Sequence, residues 1–172
     1  MNKNRMPENR TSENRTPENR ISDKAIIGWR EWVSFPDIGI DKIKAKVDTG
    51  ARTSALHAFN IEEFSFNGQK MVRFKIHPLQ RDNDYIVVCE AAVIDTREVT
   101  DSGGHCEKRF VIETPITIGN ETFSIEATLT DRDTMKFRML LGRTALEKRF
   151  IVDSSKSYVL SKNINRKKGI EK

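Results

Sequence analysis

The chain has 172 residues, 37% of them apolar, and Lys+Arg 30 against Asp+Glu 25 for a formal net charge of +5. No apolar run approaches the ~20 residues of a membrane-spanning helix, and two cysteines, Cys89 and Cys106, cannot staple a disulfide scaffold. Residues 1–24 carry net +2, residues 161–172 net +4 and residues 25–160 net −1, so the basic pI belongs to the ends and a nucleic-acid-binding core is not expected.

The opening stretch, MNKNRMPENR, lacks the apolar segment of a secretory signal. With two thiols, that points to a reducing cytoplasm. Residues 1–24 hold a degenerate five-residue repeat: Pro7-Glu8-Asn9-Arg10-Thr11, Ser12-Glu13-Asn14-Arg15-Thr16, Pro17-Glu18-Asn19-Arg20-Ile21. Such a composition buries too little surface to offset ordering entropy, and a disordered low-complexity tail is expected. Residues 162–172 read as a basic flexible tail.

Between the tails, residues 25–161 read as one all-β domain. Strands are expected at Ile26–Val33 and Ile43–Val47. Phe64, Phe66, Val72, Phe74 and Ile76 alternate around Asn67-Gly68, a strong hairpin signal. Tyr85–Val93 and Lys108–Ile112 follow. Ile116 and Ile118, then Phe123, Ile125, Ala127 and Leu129, alternate around Gly119-Asn120, which suits a second hairpin. Arg138–Leu141 and Tyr158–Leu160 complete the set. Short strands at this spacing argue a closed barrel. One short helix is expected at Thr144–Arg149, with Thr144 and Glu147 spaced as a capping box.

Two stretches carry the chemistry. In Ala45-Lys46-Val47-Asp48-Thr49-Gly50-Ala51 a strand runs into Asp-Thr-Gly. Gly50 permits close backbone approach, Thr49 offers a hydroxyl to lock the loop, and Asp48 becomes a carboxylate on a stiff turn, suited to activating water. A lone Asp-[Ser/Thr]-Gly arises by chance on the order of once per ten chains this long, and its plain reading is a strand ending in a glycine turn. The second stretch, Met139-Leu140-Leu141-Gly142-Arg143, raises the odds.

Together the two resemble the acid-protease fold, specifically the retropepsin half. There, Asp-Thr-Gly-Ala is followed late in the chain by two apolar residues, Gly and Arg, and then a short helix. The resemblance is closer still to the retropepsin-like family often labelled "ATP-dependent zinc protease" and linked to ATP-grasp ligases that add glutamate to a ribosomal protein's tail. The matching segments are Lys44–Ala58, Ile76–Leu79, Ser102-Gly103-Gly104 and Ile125–Ala145.

The resemblance implies a closed retropepsin-like barrel and an aspartic peptidase or amide hydrolase. Its catalytic loop would be Asp48, Thr49 and Gly50, supported by Ala51, Leu141, Gly142 and Arg143. One such chain supplies one Asp, so a homodimer would bring two Asp48 carboxylates together, with Thr49 tying the loops. Arg52, His57, Ser102, Gly103 and Gly104 are candidates for the substrate cleft or a flap. The implied substrate is a glutamate-rich peptide, and the implied partner an ATP-grasp glutamate ligase. Arg52 departs from the pattern: retroviral proteases usually carry Asp there, paired with the late Arg. Another acid, Asp131 or Asp133, would have to receive Arg143. Asp101-Ser102-Gly103 also fits Asp-[Ser/Thr]-Gly, but it lacks an apolar lead-in strand and reads as a hairpin turn.

Zinc and ATP are not expected on this chain. His57, His77, His105, Cys89 and Cys106 show no HExxH or CxxC spacing, and no GxxxxGK[ST] loop occurs. The competing readings are a peptide-binding module of the same fold without cleavage, and a zinc peptidase with Asp48 beside His57.

Overall fold

The computed structural model describes residues 24–80, 82–100, 104, 106–131 and 136–161. The expected tails, residues 1–24 and 162–172, lie outside them except for Lys24, whose Nζ donates to the Glu147 carbonyl.

The strands are β1 (Ala25–Gly28), β2 (Arg30–Phe35), β3 (Ile40–Val47), β4 (Ser54–His57), β5 (Phe59–Phe66), β6 (Gln69–Ile76), β7 (Val87–Thr100), β8 (Cys106–Ile118), β9 (Glu121–Thr130), β10 (Met139–Leu141) and β11 (Phe150–Asp153). A single-turn helix, α1, spans Arg143–Leu146. The sheet order is β2-β3-β10-β4-β9-β8, and β8 pairs back with β2, so six strands close a barrel. β7, β6 and β5 extend the sheet outward from β8. β1 and β11 form a separate parallel pair.

Alternation explains the barrel wall. In β3, Ile43, Ala45 and Val47 are buried, while Lys42, Lys44 and Lys46 face outward. In β2, Glu31, Val33 and Phe35 point in. Ile112, Ile116, Ile118, Leu129, Met139 and Leu141 fill the interior at 0–1% exposure, each such side chain contributing about 1.5–3 kcal/mol of burial. The expected turns form as their residues require. Asn67 and Gly68 both have left-handed φ, 50° and 76°, which a two-residue hairpin of this kind needs.

The structure departs from the sequence pattern in several places. The single expected strand Ile26–Val33 breaks at Trp29, whose N–H donates to the Lys156 carbonyl while its own carbonyl accepts from Val47 N–H. A Cβ on Gly28 would lie 2.6 Å from the Lys156 carbonyl oxygen, so the chain crosses closely there. Tyr158–Leu160 is not a strand but a turn. Its N–H groups go to Arg30 and Glu31 rather than to a neighbouring strand. β7 runs past Val93 to Thr100, so Asp95–Thr100 is a strand, paired with Cys106–Val111. α1 is shorter than expected and starts one residue earlier. Gly142 caps it, with no side-chain cap. Thr144 is not the cap, because its hydroxyl donates to the Arg52 carbonyl at 3.1 Å.

Candidate functional site

Asp48 follows the last residue of β3, at a point held from behind. β10 lies between β3 and β4, parallel to one and antiparallel to the other. This threads Met139-Leu140-Leu141 behind the Asp48–Thr53 loop. Backbone hydrogen bonds stitch the two segments along their length. Asp48 N–H donates to Leu141 O at 2.9 Å, Arg143 N–H to Ala51 O at 2.9 Å and Thr144 N–H to Arg52 O at 3.1 Å. Gly142 N–H donates to the buried Ser54 hydroxyl at 3.1 Å. A Cβ at Gly142 would lie 2.6 Å from the Thr53 carbonyl carbon and 2.7 Å from the Arg52 oxygen, so glycine is required by space.

The loop folds onto its own carboxylate. Asp48 Oδ1 accepts from Gly50 N–H at 3.1 Å and from Ala51 N–H at 3.3 Å. Asp48 is half-buried, and Thr49 and Gly50 are exposed beside it. Arg143 does not seek Asp131. Its Nη1 donates to the Thr49 and Gly50 carbonyls at 3.0 and 2.9 Å. Asp133, the other acid considered for it, lies outside the described residues. A guanidinium on these two carbonyls makes charge-assisted hydrogen bonds and ties the loop to the start of α1.

The remaining candidates scatter. His57 is fully buried, with its N–H donating to Arg138 O at 2.8 Å, so it does not line an open cleft. Arg52 is exposed and borders a cleft of about 590 Å³, with Arg97, Ser124, Glu126 and Thr144 among its other walls. Arg97 bridges Asp95 at 2.6 Å and Glu126 at 2.7 Å there. The Arg97 guanidinium, then the Thr96 N–H, holds the Asp95 carboxyl below its usual range. Gly104, between β7 and β8 in the chain, is exposed, with φ +83°. Asp101, Ser102, Gly103 and His105 lie outside the described residues.

The described residues do not form a metal donor set. No group of three His, Cys, Asp or Glu side chains gathers among them. The His77 ring stacks on Phe59 at 4.6 Å. Burial pushes the Cys89 thiol up to about 12, which disfavours the thiolate a metal needs. Among the described residues no helix is long and apolar enough to cross a membrane.

Sequence reasoning missed Ser54 and Thr144, which tie the loop to its support. Ser54 was findable. It shares strand parity with buried Leu56, and a buried hydroxyl needs a partner. Thr144 was read as a cap because its spacing to Glu147 fits one. The pairing that redirected it comes from Arg52, 92 residues away.

Residues 26–163 match a family described as "Retropepsin-like aspartic endopeptidase RimB". Two relatives named "Probable alpha-L-glutamate ligase" are similar. One, from Shewanella halifaxensis, is 47% identical over 138 residues, covering 80% of this chain and 30% of the relative. The other, from Desulfotalea psychrophila, is 50% identical over 130 residues, covering 76% and 28%. The chain thus spans under a third of the length of these curated relatives. A crystal structure of a Legionella pneumophila protein of unknown function superposes with a TM-score of 0.68 at 27% identity, covering 79% of this chain and 98% of that one.

Proposed function

The chain belongs to the RimB-like family of retropepsin-like aspartic endopeptidases, and we propose that it is an aspartic peptidase or amide hydrolase working as a homodimer. The observation that carries this reading is the Asp48 carboxylate, half-exposed and oriented by Gly50 and Ala51 N–H on a loop clamped from behind. Asp48 is the catalytic residue of each protomer, Thr49 joins the two loops, and Leu141, Gly142 and Arg143 support them.

Two carboxylates brought close cannot both ionise cheaply, so the pair holds one proton. The ionised Asp48 takes a proton from water as its oxygen attacks the scissile carbonyl carbon. The protonated partner gives its proton to the carbonyl oxygen. Collapse of the tetrahedral intermediate breaks the C–N bond, and the amine leaves with a proton from the dyad. The two carboxylates titrate as a pair.

The proposed substrate is a glutamate-rich peptide in the cytoplasm. The ligase name of the relatives supports it, as do Lys44, Lys46 and exposed Arg52 flanking the loop. A glutamate ligase of the ATP-grasp type is the proposed partner, and it, not this chain, would use ATP.

The test is peptide cleavage and native mass measured on the same samples. Cleavage of an oligo-glutamate peptide should appear with dimer as concentration rises, resist chelators and vanish in Asp48→Asn. Cleavage by a strict monomer, or by Asp48→Asn, would overturn the dyad. Loss of cleavage on chelation would favour a metal peptidase, and binding without cleavage a peptide-binding module.

A further inference from the structure

We propose that the outer face of β2 and β3 is an exosite for an extended acidic peptide. The proposal rests on the acidic-substrate reading above but concerns a surface outside the Asp48 loop.

Lys42, Lys44 and Lys46 occupy alternate positions of β3 and face away from the buried Ile43, Ala45 and Val47. On β2, Arg30 sits opposite Lys46 and Trp32 opposite Lys44. Four cations therefore share one sheet face. Among the described residues, none of the four has a carboxylate partner. On the outer strands several cations are paired: Lys70 with Glu63 at 2.9 Å, Arg73 with Glu90 at 2.6 Å and Arg97 with Glu126 at 2.7 Å. Lys75 and Lys108 have no acidic partner among the described residues but do not form a row.

Like charges this close repel, and aromatic rings hold them in place. Lys42 Nζ lies 4.3 Å and Lys44 Nζ 5.0 Å from the Trp32 ring centre. The Arg30 guanidinium lies 4.4 Å from the Trp29 ring and 4.9 Å from the Tyr158 ring, and its Nε donates to the Ser157 hydroxyl. Tyr158 stacks on Trp32 at 6.1 Å. Ring quadrupoles attract cations, so the array is pre-organised and loses less side-chain entropy on binding.

The geometry selects the ligand. Alternate residues of a strand are about 6.6–6.8 Å apart, and so are alternate side chains of an extended peptide laid along it. Every second carboxylate of an acidic chain thus meets one lysine of the row. Both edges of β3 are already taken, by β2 and β10, so the peptide lies across the face through side chains and is not added as a strand. Single-stranded nucleic acid needs free aromatic faces on which bases stack. Here cations and the Trp32–Tyr158 stack cover the rings. The row also runs toward the site, since Lys46 is two residues before Asp48. A chain held on it is delivered to the Asp48 loop.

The experiment measures anisotropy of a labelled oligo-glutamate peptide on the full chain carrying Asp48→Asn. Adding Lys42→Gln, Lys44→Gln and Lys46→Gln together should weaken binding about tenfold or more and flatten its salt dependence. Lys70→Gln with Arg73→Gln should leave it unchanged. In the cleaving protein the same row variant should raise KM and leave kcat unchanged. Lys44→Glu alone serves if the triple variant folds poorly, and should weaken binding in the same direction. Equal affinity in the row variants overturns the exosite. Tighter binding of oligouridylate, lost in the same variants, overturns the peptide assignment. Because affinity is read without turnover, a wild-type chain that cleaves nothing would sink the peptidase reading and leave this measurement decisive.

Discussion

Asp48 and Glu31 are both carboxylates held by backbone N–H groups, yet they sit in opposite settings. Glu31 is fully buried. Its Oε1 accepts from Gly28 N–H at 3.0 Å, Val159 N–H at 2.6 Å and Leu160 N–H at 3.4 Å. Its Oε2 accepts from Ser161 N–H at 3.4 Å and the Ser161 hydroxyl at 2.7 Å. Both oxygens are engaged, and the group clasps the chain after β11 to β2. At Asp48, Oδ1 takes both loop N–H groups, and no described residue donates to Oδ2. A half-buried carboxylate with one oxygen fixed keeps the other for a further hydrogen-bond partner. A carboxylate with both oxygens spent on buried donors is structural.

Removing the charge at each site should break this comparison in different ways. The largest effect is expected for Asp48→Asn. Cleavage should fall by about a thousandfold or more, with an unchanged melting temperature, because the amide oxygen still accepts from Gly50 and Ala51. A large loss of thermal stability would mean that Asp48 is structural like Glu31.

Gly142→Ala tests the clamp rather than the carboxylate. Its Cβ would meet the Thr53 and Arg52 backbone, and urea unfolding should show a loss of about 3 kcal/mol. Activity should drop with it, since the loop must move. An unchanged unfolding midpoint would show that β10 is not what sets the loop.

Glu31→Gln should cost about 2 kcal/mol, because an amide NH₂ would face the donors that the second oxygen satisfies. Activity per folded molecule should be unchanged. If activity fell while stability held, the clasp would be part of the site.

The smallest effect concerns the buried thiol. Cys89 ionises near 9.0 in the unfolded chain and near 12 in the fold. Its folded pKa is raised, so its contribution is complete below about pH 9 and is lost as pH climbs toward 12. Urea midpoints should decline over that window, and less so in Cys89→Ala. At neutral pH a thiol reagent should modify exposed Cys106 quickly and Cys89 only on unfolding. Rapid reaction of both would refute the burial argument.

How much was legible depended on the range of the interactions. The hairpin at Asn67-Gly68 was readable because its φ requirement and its alternation are local. Asp48-Thr49-Gly50 and Leu141-Gly142-Arg143 were readable as a pair through their resemblance to the retropepsin half, and at Gly142 the structure supplies the reason, because a Cβ there would meet the Arg52 and Thr53 backbone. The partner of Arg143 was not. Carbonyl oxygens belong to every residue type, so no sequence pattern announces that Thr49 and Gly50 will receive a guanidinium. Tyr158–Leu160 misled because its apolar residues suit a strand, while its backbone is claimed by Glu31.

By itself the sequence determined the all-β class and the two hairpin turns, since alternation and turn sterics act between near neighbours, and it carried the two stretches that the family resemblance pairs. Its expected strand, Ile43–Val47, began after Lys42, so the full lysine row appeared only when β3 was seen to start at Ile40. Only the tertiary structure decided that β10 threads between β3 and β4, that Glu31 is a clasp and Asp48 a half-open acid, and that the lysine row lacks acidic partners. Those outcomes depend on which distant backbone groups and charges come within a few ångströms. Chain closure sets that, and residue order does not display it.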